Sequence, residues 1–224
     1  MPHSLSHGKP LDVGAFGFDA SNLPPMDQGP VDLKGWFGPE RAALPLELEI
    51  GSGKCTFLLQ QGQATPQVNY IGLEYARAFW RYGADRVRRH ALPNVRVGNV
   101  EASIFLRYYT PASSLRQIHV YFPDPWPKAR HHKRRLIQEP TLRLFHRALE
   151  PGGRVRLVTD HVDYFQWMLE HIAKVPELFE QAAFDAPESA GEGELVGSNF
   201  ERKYRREGRP FQGLVLIRRA IETV

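Results

Sequence analysis

From Pro45 to Asp160 the chain repeats one unit, a short apolar run, then a turn, then an amphipathic stretch, and that repetition leaves few folds open. Residues 46–50 read as a strand stopped by Gly51-Ser52-Gly53, with a helix opening near Phe57. A second strand at 69–73 ends at Glu74, and a basic amphipathic helix spans 76–90. A third strand at 95–97 precedes a helix over 102–109, and a fourth strand covers 117–122. A helix over 136–149 stops at Pro151-Gly152-Gly153, a fifth strand at 154–159 reaches Asp160, and another helix follows over 164–173. Strands alternating with helices require right-handed crossovers, so the expected fold is α/β, a doubly wound and mostly parallel sheet. A last strand at 214–217 is expected to pair antiparallel at or near one edge. The 224 residues, 42% hydrophobic and 24% charged, suit one soluble domain with a full core, which we place at 45–224. Residues 1–44 are rich in Gly, Pro, Ser and Asp and are expected to form a flexible or loosely docked arm. Phe16, Phe18, Trp36 and Phe37 are apolar enough for parts of it to pack. The Gly- and Glu-rich segment 188–197 reads as a mobile loop.

The fourth strand runs into Pro123-Asp124-Pro125-Trp126-Pro127-Lys128, then Arg130-His131-His132-Lys133-Arg134-Arg135. Two prolines flank Asp124 and a third follows Trp126. They fix φ and remove backbone donors, so neither strand nor helix continues. Asp124 is therefore held at a strand's end, where open α/β sheets place their ligands. The cations beside it point to a polyanion, whereas alone they would read as a solvated loop. Trp126 suits stacking on a base or plain packing. His131 and His132 lack ligand spacing, and no metal is expected. Two further basic sets stand apart: Arg77, Arg81, Arg86, Arg88 and Arg89 on one helix, and Arg202, Lys203, Arg205, Arg206 and Arg209 in the tail. Each either extends a phosphate track or forms a charged outer face. The net charge of +4 is compatible with nucleic acid without requiring it. Cys55 is the only cysteine, which excludes an internal disulfide and favours a cytoplasmic setting. No apolar run approaches the roughly 18 residues of a membrane span.

Gly51-Ser52-Gly53 sits at a strand-to-helix turn, where glycines let the backbone approach a ligand. Such a turn by itself is weak. The dinucleotide fingerprint lacks its third glycine, because Thr56 stands there. Glu74 ends the next strand where a ribose-binding acid belongs, and Glu49 adds negative charge beside the turn. That field repels pyrophosphate and suits a cationic nucleoside, S-adenosylmethionine. The bland alternative makes both glutamates solvated strand-end acids. Glu101 opens the helix after the third strand, where an adenine edge would lie or where a carboxylate simply favours a helix N-terminus. Asp160 likewise reads as a substrate group or a helix N-cap.

These residues resemble the bacterial tRNA (guanine-N7-)-methyltransferases. The resemblance rests on Leu48-Glu49-Ile50-Gly51-Ser52-Gly53, Ile71-Gly72-Leu73-Glu74, the two blocks over 122–135, Val158-Thr159-Asp160 and Ser198-Asn199-Phe200-Glu201. It implies a Rossmann-like class I methyltransferase that moves a methyl group from S-adenosylmethionine to guanine N7 at position 46 of the tRNA variable loop. It assigns Glu49, Gly51, Gly53, Glu74, Glu101 and Asp124 to the methyl donor, with Asp124 catalytic. Lys128, Asp160, Ser198, Asn199, Phe200 and Glu201 fall at substrate positions, and Arg130, His131, His132, Lys133, Arg134 and Arg135 at the RNA contact. Glu101 stands where the family usually has Asp, and Ser198-Asn199 where it often has Thr-Lys. The partner implied is tRNA; neither a membrane nor an obligate protein partner is indicated.

Overall fold

The computed structural model describes residues 10–220. In chain order its strands are β1 (Gly17–Asp19), β2 (Leu46–Ile50), β3 (Asn69–Leu73), β4 (Val95–Asn99), β5 (Leu115–Tyr121), β6 (Leu149–Thr159), β7 (Phe179–Ala183) and β8 (Gln212–Arg218). They form one sheet in the order β1-β4-β3-β2-β5-β6-β8-β7. The strands from β1 to β6 pair parallel, and β8 lies antiparallel between β6 and β7. The expected doubly wound sheet with an antiparallel C-terminal strand is therefore present.

Helices cover both faces, which is why β2 and β3 are buried at every position. One face carries α1 (Thr56–Ala64) and α2 (Arg77–Arg89), whose Phe57, Leu58, Trp80 and Val87 pack with Val95 and Val97. The other carries α3 (Ala102–Ile104, continued by a π turn over Phe105–Tyr109), α4 (Glu139–Ala148) and α5 (Val162–Ile172). Their Phe105, Phe145 and Met168 close on Leu46, Leu48, Ile118 and Val120. Each such side chain removed from water contributes about 1.5–3 kcal/mol. From β2 the chain winds outward through β3 and β4, then returns to β5 on the opposite side of β2. The topological switch point thus falls between β2 and β5, with Gly51 and Phe122 on its rim.

Glu47 is an acid inside this buried strand, and it is fully partnered. Its carboxylate meets His119 Nε2 at 2.8 Å, Arg116 Nε at 2.7 Å and Gln117 Nε2 at 2.8 Å. Burial pushes its pKa up, but His119 and Arg116 outweigh burial and hold it down at about 2.

Parts of the arm, read as flexible or loosely docked, pack onto the sheet through aromatic residues singled out in it. Residues 1–9 lie outside the described residues, but β1 extends the sheet in register with β4, from Gly17 opposite Val97 to Asp19 opposite Asn99. Phe18, Leu33 and Phe37 are buried in the main core, and Phe18 packs edge-on against Trp36 at 4.8 Å. Gly98 makes room for Phe18, because a Cβ there would collide with its ring. The reason is aromatic burial strong enough to order an otherwise turn-rich segment. The 188–197 segment, read as a mobile loop, is held near both ends. Val196 is buried, and Ser189 N–H donates to Gln61 Oε1 at 3.1 Å.

Candidate active site

The C-terminal ends of β4, β3, β2, β5 and β6 lie along one edge of the sheet and bring Glu101, Glu74, Gly51, Asp124 and Asp160 to it. At the centre, the turn after β2 is built of left-handed residues: Gly51 at φ +79°, Gly53 at φ +53° and Cys55 at φ +56°. Four of its backbone donors are already spent inward. Gly51 and Ser52 N–H donate to Leu73 carbonyl at 2.8 and 3.0 Å, Gly53 N–H to Glu74 Oε2 at 2.8 Å, and Cys55 N–H to Ser52 carbonyl at 2.7 Å. A phosphate cradle needs those donors free. This turn instead presents carboxylates.

Glu49 is 5% exposed, and its Oε2 is buried with no hydrogen-bond partner among the described residues. Burial, then the charge of Glu74, pushes its pKa up to about 8. Glu74 is also raised, first by burial and finally by Asp124, against the opposing hydrogen bonds from Ala76 and Gly53 N–H. Glu74 is thus electrostatically coupled to both Glu49 and Asp124, and one Glu49 oxygen is left for a donor that the described residues do not supply. Glu101 caps α3, accepting from Ser103 and Ile104 N–H at 3.0 and 2.9 Å, so its capping role is real. It also lines a cleft of about 220 Å³ with Tyr75, Asn99, Val100 and Ile104.

The loop after β5 contains two further left-handed residues, Phe122 at φ +53° and Trp126 at φ +45°. A non-glycine residue in that region costs about 1–3 kcal/mol and persists only where its surroundings enforce it. Arg135 supplies much of that enforcement. It is 2% exposed, donates from Nε to the Pro125 carbonyl at 2.8 Å, pairs with Asp163, and lies 5.1 Å from the rings of both Tyr164 and Trp167. It was expected at the RNA contact, but its guanidinium holds the Asp124 loop from beneath. His132 is half-buried against Trp167 at 5.4 Å. Asp124, Lys128, Arg130, Lys133 and Arg134 are exposed. Arg134 lies 4.9 Å over Trp126, whose edge meets His131 at 5.8 Å. Arg135→Ala is expected to cost about 2–4 kcal/mol, through lost stacking and charge-assisted hydrogen bonds. Arg134→Ala should cost less than about 1 kcal/mol. Urea unfolding midpoints distinguish the two.

Asp160 does not cap α5; His161 does, its Nδ1 accepting from Tyr164 N–H at 3.3 Å. Asp160 instead accepts from Arg209 Nη1 at 2.7 Å, and Arg209 lies 4.2 Å over Tyr204. Tyr204 belongs to α6 (Asn199–Arg206), a helix opened by Ser198 Oγ accepting from Glu201 N–H at 3.0 Å. Glu201 is fully buried and accepts from Leu195, Val196 and Gly197 N–H at 2.6, 2.8 and 2.9 Å. Ser198 thus caps α6, while the Glu201 carboxylate ties the helix to the three residues before the cap. The Asn199 side chain lies outside the described residues. Phe200, 47% exposed, reaches within 3.8 Å of a Cβ built on Gly53, which brings α6 over the glycine turn.

The other arginine sets are engaged internally. Arg81, Arg86, Arg88 and Arg89 bind Leu11 carbonyl, Lys54 carbonyl, Asp85 and Asp85, and Arg77 lies over Trp80. Arg202, Lys203, Arg205 and Arg209 pair with Glu194, Glu207, Glu201 and Asp160. Among the described residues no cluster of His, Cys, Asp or Glu could hold a metal ion, and no helix is long and apolar enough to cross a membrane. Sequence reasoning did not single out Arg209 as the Asp160 partner, nor Tyr75 and Asn99 as cleft walls. Asn99 carried a signal, a polar residue closing a strand on the ligand edge. Arg209 carried none, since its partner is 49 residues away.

Residues 43–213 match a family model described as "Putative methyltransferase". The tRNA (guanine-N(7)-)-methyltransferase of Halorhodospira halophila is 36% identical over 203 residues, covering 89% of this chain and 83% of that protein. Its counterpart from Alkalilimnicola ehrlichii is 38% identical over 194 residues, covering 87% and 78%. Among solved structures, the 16S rRNA methyltransferase KamB superposes with a TM-score of 0.55 at 15% identity, over 78% of this chain and 86% of that one, a likeness of fold.

Proposed function

We propose, for a chain that belongs to the tRNA (guanine-N7-)-methyltransferase family, that it methylates N7 of guanine 46 in the tRNA variable loop through the acids gathered at the switch point. The observation that carries the reading is the glycine turn. The N–H groups of Gly51, Ser52 and Gly53 are spent, and Glu49, Glu74 and Asp124 gather around it, with one buried Glu49 oxygen unpartnered among the described residues. Such a site rejects a pyrophosphate and accepts a cation. S-adenosylmethionine, bearing an ammonium and a sulfonium, fits that donor set, and when bound it supplies an electrophilic methyl group. Glu49 would face its cationic end. Glu74, half of whose hydrogen bonding already fixes the turn, would hold the ribose.

Guanine N7 has an exposed lone pair and no proton, so no general base is required. The work left to the protein is alignment and exclusion of water. The methylated base becomes cationic, and Asp124, free of any hydrogen bond to a described residue, is placed to stabilise that charge. Asp160 is a second acceptor on the same edge, suited to the base's N1–H and N2–H2 donors. To reach them it must exchange its partner Arg209. The exposed run Lys128, Arg130, Lys133 and Arg134 adjoins Asp124 and suits tRNA phosphates.

The test is methyl transfer from labelled S-adenosylmethionine to tRNA lacking 7-methylguanosine, followed by nucleoside analysis and mapping. Label in 7-methylguanosine at position 46 is expected; label in another nucleoside would discard the reading. A pH effect follows from Glu49. Its pKa of about 8 leaves it neutral in the free protein at pH 7. A cationic ligand favours the carboxylate, so binding releases a proton, and affinity rises with pH up to about 8 and then levels off. Calorimetry at pH 7 in buffers of different ionisation enthalpy should read up to about one proton released per ligand, lost in Glu49→Gln. Equal observed heats in all the buffers would remove Glu49 from the cationic end.

A further inference from the structure

The cleft beside Glu101 has a wall that does not come from the βαβ framework. Of its lining residues, Ala20 and Met26 belong to the N-terminal arm, while Tyr75, Val100, Ile104 and Tyr109 come from the loop after β3 and from α3 with the residues before it. The arm is clamped on both sides of this span. Upstream, β1 pairs with β4 and Phe18 is buried between Trp36 and Phe105. Between the clamps, Asp19 caps the turn over Ala20–Asn22, accepting from Ser21 N–H at 2.9 Å while Asn22 Oδ1 accepts from Asp19 N–H at 2.9 Å. Downstream, Val31 N–H donates to the Tyr109 carbonyl at 3.0 Å, and Leu33 is buried. Residues 20–30 are thus strung across the cleft as a fixed strap.

The cleft adjoins the backbone that carries Glu74. Asn99 Nδ2 donates to the carbonyls of Glu74 and Tyr75 at 2.7 and 2.9 Å, tying the cleft wall to the residue proposed to hold the ribose. Its lining is mostly apolar: alanine, methionine, valine, isoleucine and two tyrosines. Its volume of about 220 Å³ falls below the roughly 300–1,000 Å³ of pockets that enclose a whole drug-sized ligand. A flat, uncharged ring system attached to a ribose fits that shape and lining. Met26, 47% exposed, is a large apolar side chain in the cleft wall.

We infer that the arm is part of the methyl-donor site, with Ala20 and Met26 forming the outer wall of the slot for the purine of the nucleoside. The inference rests on the methyltransferase reading above. It makes residues before the catalytic framework necessary for binding the donor, although they touch neither the glycine turn nor the cationic loop.

The experiment is calorimetric titration of the full chain with S-adenosylhomocysteine, with adenosine as a competing ligand and tRNA affinity measured alongside. Ala20→Trp fills the slot and should weaken S-adenosylhomocysteine by more than about tenfold. Met26→Ala removes the wall and should weaken it by about three- to tenfold. Both should retain wild-type tRNA affinity and, because both positions are exposed, wild-type melting temperatures. Adenosine should compete with S-adenosylhomocysteine in the wild type. Wild-type affinity in both variants would overturn the inference while leaving the function intact. Failure of the wild-type chain itself to bind S-adenosylhomocysteine would instead overturn the methyltransferase reading on which it rests.

Discussion

Replacing Asp124 by alanine is expected to lower the single-turnover rate of tRNA methylation by about 10²–10³-fold, the usual loss when a preorganised electrostatic group is removed from the reacting centre. The expectation rests on what Asp124 does not do in the fold. Its side chain is exposed and accepts no hydrogen bond from a described residue, so stability gives no reason for a carboxylate there. It even raises the pKa of Glu74, an unfavourable pairing that a cationic ligand or product would relieve. The surrounding loop is expensive, with Phe122 and Trp126 both left-handed and the buried Arg135 holding the Pro125 carbonyl. Strain of that kind, retained around an otherwise idle acid, is what a positioned functional group requires. Asp124→Asn separates two contributions. It keeps the acceptor oxygen and loses the charge, so a loss comparable to alanine assigns the effect to charge stabilisation. The melting temperature should stay within about 2 °C of wild type in both variants, since exposed substitutions rarely exceed ~0.5 kcal/mol. Near-normal turnover in Asp124→Ala would remove Asp124 from the chemistry.

The parts of this fold that could be read in advance are those where local chemistry and burial agree. Residues 46–50 and 69–73 are apolar runs cut off by glycine or glutamate, and β2 and β3 occupy those limits. β1 and β7 were not anticipated. The first is only Gly-Phe-Asp, held by Phe18 inserting over Gly98, and β7 carries one buried residue in five, so neither has a period to detect. α6 was hidden for a different reason. Five of its eight residues are charged, and it is fixed by the buried Glu201 binding three backbone N–H groups rather than by an apolar stripe. The site shows the same division. Glu49, Gly51, Gly53, Glu74, Asp124 and Asp160 are placed on one edge by topology alone, because parallel strands share their C-terminal side. Arg134 and Arg135 are neighbours of identical chemistry, yet one is exposed and the other 2% exposed. That difference is set by where the turn over Ala129–Arg134 ends and by Tyr164 and Trp167, which arrive from α5. No local signal encodes it.

The same inventory of paired and unpaired cations sets the expected result for RNA. In Lys133→Glu/Arg134→Glu, tRNA affinity near 0.1 M salt should fall by about 100-fold, and the dependence of log affinity on log salt should flatten by about two. The turnover rate at saturating tRNA should be nearly unchanged, because neither side chain touches the proposed acids. Arginine count does not single out this run, since α2 alone has as many basic residues. Engagement does. The α2 arginines are committed to Asp85, backbone carbonyls and Trp80, and the α6 cations to Glu194, Glu201 and Glu207. Using those for phosphate would mean breaking contacts already made. Lys128, Arg130 and Lys133 are exposed without a partner among the described residues, and Arg134 has only the Trp126 ring. They can therefore exchange condensed counterions for phosphates at no internal cost, which is the origin of a steep salt slope. An unchanged slope in the double variant would move the RNA contact elsewhere, with the α6 face first in line. A lost slope with intact S-adenosylhomocysteine binding would separate the RNA grip from the methyl-donor site on the same sheet edge.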